Sequence, residues 1–265
     1  MRLPSEIELK TETAREAYKW DIREYFSTDP KHYWTIHYRN RLEHILRSMD
    51  DFVPTGGSIL DIGCAQATAS LLLAERGYRV TAVEANPESI DYARQRYEFG
   101  DITFLCEDAM HFSPDEKFDA ILLGEVLEHM PRPGTLIRQC RDWLNRDGIQ
   151  VITTPNSLSP HNWMMPGYKP GEMESPDRAD EVSGLGGRET HLFCFRPSQL
   201  TKLVRESGYE IKRQELLNSY LINPIGFHRI LPLHLTEKLN RAFSHVPVFA
   251  SFTTMTQFIV ARKTA

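Results

Sequence analysis

The stretch Ser58-Ile59-Leu60-Asp61-Ile62-Gly63-Cys64-Ala65-Gln66-Ala67-Thr68-Ala69 decides the fold. An apolar run meets an acid, passes through a turn of small residues and then opens a helix. Small residues in such a turn let a ligand approach backbone N–H groups at the carboxyl end of a strand, where open α/β sheets bind their ligands. Asp61 narrows the ligand class. A dinucleotide fingerprint usually carries an apolar residue before its first glycine and leaves the helix terminus bare for pyrophosphate, whereas a carboxylate there repels phosphate and suits a cation.

Outward from this passage, strand and helix patterns alternate: 59–62, 68–76, 79–83, 89–97, 102–105, 118–123, 135–144 and 149–153. Such alternation predicts a parallel, doubly wound sheet. Gly77 ends the first of these helices, Pro87 suits the first turn of the next, and Gly148 follows the last before an apolar strand. Upstream, residues 10–27 and 31–50 have helical spacing, with Pro30 between them. After Pro155 the rhythm stops for about forty residues, a length that marks a functional loop, a lid or a partly disordered insertion. It resumes with a helix at 197–207 and a strand at 210–217, then an apolar cap around 220–250 and a last strand at 252–261. The reading is a helical lid over 1–54 and a catalytic domain over 55–265, with a long gating loop at 157–190 and a substrate cap at 220–250.

The chain has 265 residues and a formal charge of −5, enough to bury one full core and without the basic excess of a long nucleic-acid track. Cys64, Cys106, Cys140 and Cys194 form no Cys-x-x-Cys pair, which argues against a zinc knuckle or a disulfide framework and for reduced thiols in a cytoplasmic protein. No signal peptide or membrane-spanning run is read in the sequence, while contact with a membrane surface stays open.

Two further acids follow the next strands. Glu84 ends the second, where an acid bonds ribose hydroxyls in nucleoside-binding α/β proteins. Asp108 follows the third, beside Ala109 and Met110, where a carboxylate can accept from an adenine amino group and the thioether can cover the ring. The sulfonium and α-amino groups of S-adenosylmethionine meet the requirement set by Asp61. From these residues the chain resembles class I S-adenosylmethionine-dependent methyltransferases over roughly 35–262. The motifs are Ile59 to Ala67, Val83-Glu84-Ala85-Asn86-Pro87, Cys106-Glu107-Asp108-Ala109-Met110, and Phe118 to Met130.

The resemblance implies a Rossmann-like three-layer sandwich whose seven-stranded, mostly parallel sheet has the order 3-2-1-4-5-7-6. It also implies a cofactor site of Asp61, Gly63, Cys64, Ala65, Glu84, Ala85, Asp108, Ala109, Met110 and Gly124, with S-adenosylhomocysteine as product. Ala65 and Ala67 depart from the family, which favours glycine at both positions. At negative φ alanine is tolerated and stabilises the helix start, whereas positive φ at either position puts cofactor binding in doubt; with the neighbouring motifs intact, tolerance is the expectation.

After the fourth strand come Glu125, Glu128 and His129, whose spacing gives one helical face; His191 lies far downstream in Glu189-Thr190-His191-Leu192-Phe193. Ubiquinone-biosynthesis O-methyltransferases resemble the chain in the Glu-His pair, the Thr-His pair and Asn223-Pro224. Metal-dependent small-RNA 2′-O-methyltransferases share the Glu-x-x-Glu-His run. Both resemblances imply that Glu125, Glu128, His129 and His191 meet beside the sulfonium as a ligand set for Mg²⁺, Mn²⁺ or Zn²⁺; a metal-free reading makes His129 or His191 a general base, and a third gives these residues purely structural roles. His129, His191 and Glu125 are then the catalytic candidates. In the long loop His161, Trp163, Met164 and Met165 suit an apolar substrate, and Tyr33, Trp34 and His37 can close the cofactor pocket. The function expected is methyl transfer to a hydroxyl of a small molecule, lipid-like or glycan-linked. An RNA 2′-O-methyltransferase and a cofactor-binding regulatory protein are the alternatives.

Overall fold

A computed structural model describes residues 1–5, 9–27, 33–159, 162, 191–219, 235, 238 and 254–264. Seven strands form one sheet in the order β3-β2-β1-β4-β5-β7-β6, as the resemblance implied. The strands are β1 (Ser58–Ile62), β2 (Arg79–Glu84), β3 (Asp101–Cys106), β4 (Phe118–Gly124), β5 (Leu144–Pro155), β6 (Tyr209–Ser219) and β7 (Thr254–Lys263). The helices are α1 (Glu12–Asp21), α2 (Tyr33–Phe52), α3 (Thr68–Glu75), α4 (Pro87–Arg96), α5 (Pro133–Trp143) and α6 (Pro197–Glu206). The chain falls into two compact units, one of residues 1–122 with 143–149 and one of residues 123–142 with 150–265.

In the first unit, β1 pairs in parallel with β2, Asp61 opposite Ala82, and β2 with β3, Glu84 opposite Cys106. All five residues of β1 are buried, as expected of a central parallel strand covered on both faces. Asn86 caps α4 by accepting from the Glu88 and Ser89 N–H groups, with Pro87 in the first turn. α1 starts on Thr11, whose hydroxyl accepts from Ala14 N–H, and it buries Ala14, Ala17 and Asp21 on one face. That face joins Tyr92 of α4 in a small apolar cluster. At its end, Asp21 meets Arg96 at 2.9 Å, and both side chains are fully buried. Removing one partner from such a pair typically costs about 3–5 kcal/mol, because the other charge is left in the core.

In the second unit β6 and β7 pair antiparallel, Tyr209 opposite Lys263. The Tyr209 hydroxyl donates to the Ile137 carbonyl at 3.2 Å, and Arg141 Nε to the Gly208 carbonyl at 3.2 Å, so two polar groups tie α5 to the start of β6. β5 differs from the sequence reading. It begins at Leu144, five residues before the expected start, and includes Gly148. The gating loop and cap read at 157–190 and 220–250 lie almost wholly outside the described residues, as do His161, Trp163, Met164, Met165 and Asn223-Pro224. The side chains of Tyr33 and Trp34 are outside them too. His37 is buried, its ring edge-on to Tyr38 at 5.2 Å. No described helix is long and apolar enough to cross a membrane, and all four cysteines are free thiols.

The turn after β1 takes the positive-φ alternative. Ala65 and Ala67 have φ of +48° and +58°, and Gly63 has +68°. The alanines therefore occupy the left-handed region, where the Cβ crowds the following carbonyl at a cost of about 1–2 kcal/mol per residue. Because Ala65 is exposed, little packing is lost on removing its methyl. Ala65→Gly should raise stability by up to about 1 kcal/mol, and Ala65→Val should lower it by at least that much, in urea titrations at neutral pH.

Candidate active site

The turn of the first unit is a cradle of directed backbone groups. Gly63 and Cys64 N–H both donate to the Val83 carbonyl, at 2.8 and 3.1 Å, and Ala67 N–H donates to the Cys64 carbonyl at 2.8 Å. Glu84 spans the gap between β1 and β2. Its carboxylate accepts from Ala65 N–H at 3.0 Å through one oxygen and from Asn86 N–H at 3.0 Å through the other. A carboxylate oxygen accepts more than one hydrogen bond, so these two contacts fix the side chain while leaving capacity for ribose hydroxyls. The sequence reading gave Glu84 to the ribose alone; the structure adds a framework role.

Asp61 is buried at 4% exposure and accepts from the Ser70 hydroxyl at 2.5 Å. Burial, with the nearby Glu84 charge adding to it against the Ser70 bond, raises its pKa to about 7. The same burial, and the fields of Asp61 and Glu84, push the Cys64 thiol far up. An opposite charge placed beside Asp61 would favour its ionised form. Asp108 lies at the exposed end, where Oδ1 accepts from Met110 N–H at 2.8 Å. That leaves the second oxygen toward solvent and His111, 3.5 Å away. Ala85 accepts a weak bond from the Cys106 thiol at 3.7 Å. These residues fit the adenosine and amino-acid ends of the expected cofactor by donor and acceptor type.

In the second unit, Gly124 ends β4 and the chain then turns sharply. Glu125 has φ of +59°, and Leu127–His129 form a single 3₁₀ turn. The single helical face expected for Glu125, Glu128 and His129 is therefore absent, because the left-handed residue redirects the backbone before any helix starts. Instead, Glu125 N–H is tied to the Thr153 carbonyl at 3.0 Å. Glu128 is fully buried and accepts from the Thr154 hydroxyl at 2.9 Å, and its carbonyl accepts from Leu192 N–H at 2.9 Å. That last bond delivers His191. The His129 and His191 rings meet edge to face with centroids 4.6 Å apart, and donor atoms of Glu128, His129 and His191 all lie within 4.8 Å of one another. Three of the four expected residues thus share one cluster; Glu125 is not of that set, although its charge and that of Glu128 help burial to raise the Cys194 thiol.

Sequence reasoning missed the polar clamps that hold this cluster. Gln257 Nε2 donates to the Pro155 carbonyl at 3.0 Å and the Phe195 carbonyl at 2.8 Å. Asn156 Nδ2 donates to the Thr254 carbonyl at 2.9 Å. All are buried. The available signal was a polar run, Thr153-Thr154-Pro155-Asn156, closing an apolar strand.

Asp61 makes a testable demand on the ligand-free protein. Its folded pKa of about 7 exceeds the ordinary 3.8, so the native state holds that proton more tightly than the unfolded chain. The stabilisation is complete below about 3.8 and is lost as pH rises toward about 7. Thermal melts should show this component fall between pH 5 and 7.5. Asp61→Asn should remove it and be the more stable protein at pH 8.

Residues 28–214 match the family model described as a methyltransferase domain. The ubiquinone biosynthesis O-methyltransferase of Glaesserella parasuis serovar 5 is 30% identical over 181 residues, 64% of this chain and 71% of that protein. Among solved structures, an S-adenosylmethionine-dependent methyltransferase from Mesorhizobium loti superposes with a TM-score of 0.56 at 18% identity, covering 84% of this chain and all of that one. The [4+2]-cyclase SpnF superposes at 0.57 with 18% identity, covering 90% and 85%. At such identities the likeness establishes the fold alone, and a cyclase on it shows that chemistry rests on side chains. With the family model spanning most of its length and the ordered acids of its strand ends, the chain belongs to the methyltransferase domain family, the class I S-adenosylmethionine-dependent methyltransferases.

Proposed function

We propose that the chain transfers a methyl group from S-adenosylmethionine to a hydroxyl of a small, apolar acceptor, with the His129–His191 pair as the proton-accepting centre. The observation that carries this reading is the contact of the two imidazoles with each other, with donor atoms within 4.8 Å of the buried Glu128 carboxylate. It is supported by the O-methyltransferases among the relatives. S-adenosylmethionine supplies an electrophilic methyl group and, once that is lost, leaves as a neutral thioether. Asp61 binds the amino group of its amino-acid end, with Gly63 flanking it, Glu84 the ribose, Asp108 with Ala109 and Met110 the adenine. The acceptor hydroxyl is a poor nucleophile until it gives up its proton. A neutral imidazole can take that proton at Nδ1 or Nε2, and the neighbouring ring and the Glu128 carboxylate stabilise the resulting imidazolium. Most of the rate comes from holding oxygen and methyl in line in a dry site.

A second reading has its own support. Glu128, His129 and His191 offer one carboxylate and two imidazole donors close enough to share an ion, a set that suits Zn²⁺ or Mn²⁺ better than Mg²⁺. Such an ion would lower the pKa of a bound hydroxyl.

Calorimetry and kinetics test the proposal. Glu84→Ala should weaken S-adenosylhomocysteine binding at least about tenfold, as expected for a lost charge-assisted bond; unchanged affinity would sink the cofactor assignment. For the chemistry, methylation of catechol-type and other hydroxyl acceptors should persist in EDTA and rise with pH through the histidine range near 6.5. His129→Ala and His191→Ala should lower kcat by about 10²–10⁴ and abolish that rise. Loss of activity in EDTA with recovery on adding Zn²⁺ or Mn²⁺ would favour the metal reading instead.

A further inference from the structure

The left-handed alanines need something to hold them. Each would relax toward negative φ if the turn were free, and the peptide that joins them is that of Gln66. Its carbonyl accepts from Arg96 Nη1. Arg96 is the last residue of α4, fully buried. The same nitrogen donates to the Thr68 hydroxyl at 3.2 Å, and Nε pairs with Asp21 at 2.9 Å. Asp21 in turn accepts from the Thr68 hydroxyl at 3.0 Å and the Tyr92 hydroxyl at 2.6 Å. One buried guanidinium therefore bonds the middle of the turn, the first residue of α3 and the end of α1. A planar, permanently charged group with several fixed donors suits that task, whereas a lysine ammonium reaches fewer partners at once.

We propose that Arg96, seated by Asp21, is a positioning residue for the cofactor turn: it holds the Gln66 carbonyl and so keeps Ala65 and Ala67 left-handed. It does the work that glycine does elsewhere by having no Cβ. The inference rests on the proposed binding of the cofactor at this turn. It also gives α1 a purpose beyond packing, since Asp21 carries the anchor of the turn from a helix far upstream in sequence. Such backbone strain persists only where surroundings over-determine it, and Arg96 is the long-range member of those surroundings.

A double-mutant cycle on the full chain tests this, with S-adenosylhomocysteine as the calorimetric probe. Arg96→Met should weaken binding at least about tenfold. In the Ala65→Gly/Ala67→Gly background, where positive φ is unstrained, the same substitution should weaken it no more than about threefold. Kinetically, Arg96→Met should raise KM for S-adenosylmethionine and leave kcat at saturation within about twofold. If Arg96→Met does not fold, Arg96→Lys is carried through the same cycle and should show the same dependence on background. Equal losses in both backgrounds, or no loss in either, would overturn the positioning role. Normal binding by Glu84→Ala, or none by the wild-type chain, would instead overturn the cofactor assignment on which the role rests.

Discussion

At the carboxyl end of β1 the backbone must leave a fully buried strand and enter α3 within five residues. It does so through three left-handed positions, Gly63, Ala65 and Ala67. Two of these carry a Cβ, so the turn is intrinsically uphill by a few kcal/mol. Its geometry is imposed from outside by bonds to its backbone groups: Val83 takes the N–H groups of Gly63 and Cys64, Glu84 takes that of Ala65, and Arg96 holds the carbonyl of Gln66. The rest of the first unit is arranged to supply these partners. β2 must lie beside β1 in parallel for Glu84 to reach, and α4 must end where its last side chain can turn inward.

Charge in this unit is deployed in two ways. Asp21 and Arg96 form a fully buried pair in which Asp21 also accepts from the Thr68 and Tyr92 hydroxyls. Such a pair adds little net stability compared with an apolar pair, but it defines geometry strictly because every misplaced partner leaves a charge exposed to a dry core. Asp61 and Glu84 are different. Burial above all, with the Glu84 charge adding to it, raises the Asp61 pKa. A positive charge placed beside Asp61 favours its ionised form.

In the second unit the decisive contact is made by the main chain. Leu192 N–H bonds the Glu128 carbonyl, bringing residues more than sixty positions apart into register and setting two imidazoles edge to face. Buried Gln257 and Asn156 then lock the segment from β7 and the end of β5. Three residues that a sequence scan would pass over thus hold the pair that carries the candidate chemistry.

The order of elements, the acids at three successive strand ends and the residue types near the end of β4 were legible in the sequence, because each is signalled locally. Periodicity of 2 or 3.6 follows from backbone geometry, Pro and Gly mark helix ends, and the acids stand out as an ordered series at successive strand ends. Backbone sign was not legible. Nothing in the letters at 65, 67 or 125 says that φ is positive, since alanine and glutamate prefer the opposite region and only distant hydrogen bonds hold them there. For the same reason the helical face read through Glu125 dissolved into a left-handed residue and a 3₁₀ turn. The Asp21–Arg96 pair was equally hidden, as seventy-five positions separate its members. Local pattern fixed which elements form; tertiary contacts decided which strained conformations survive and which side chains they bring together.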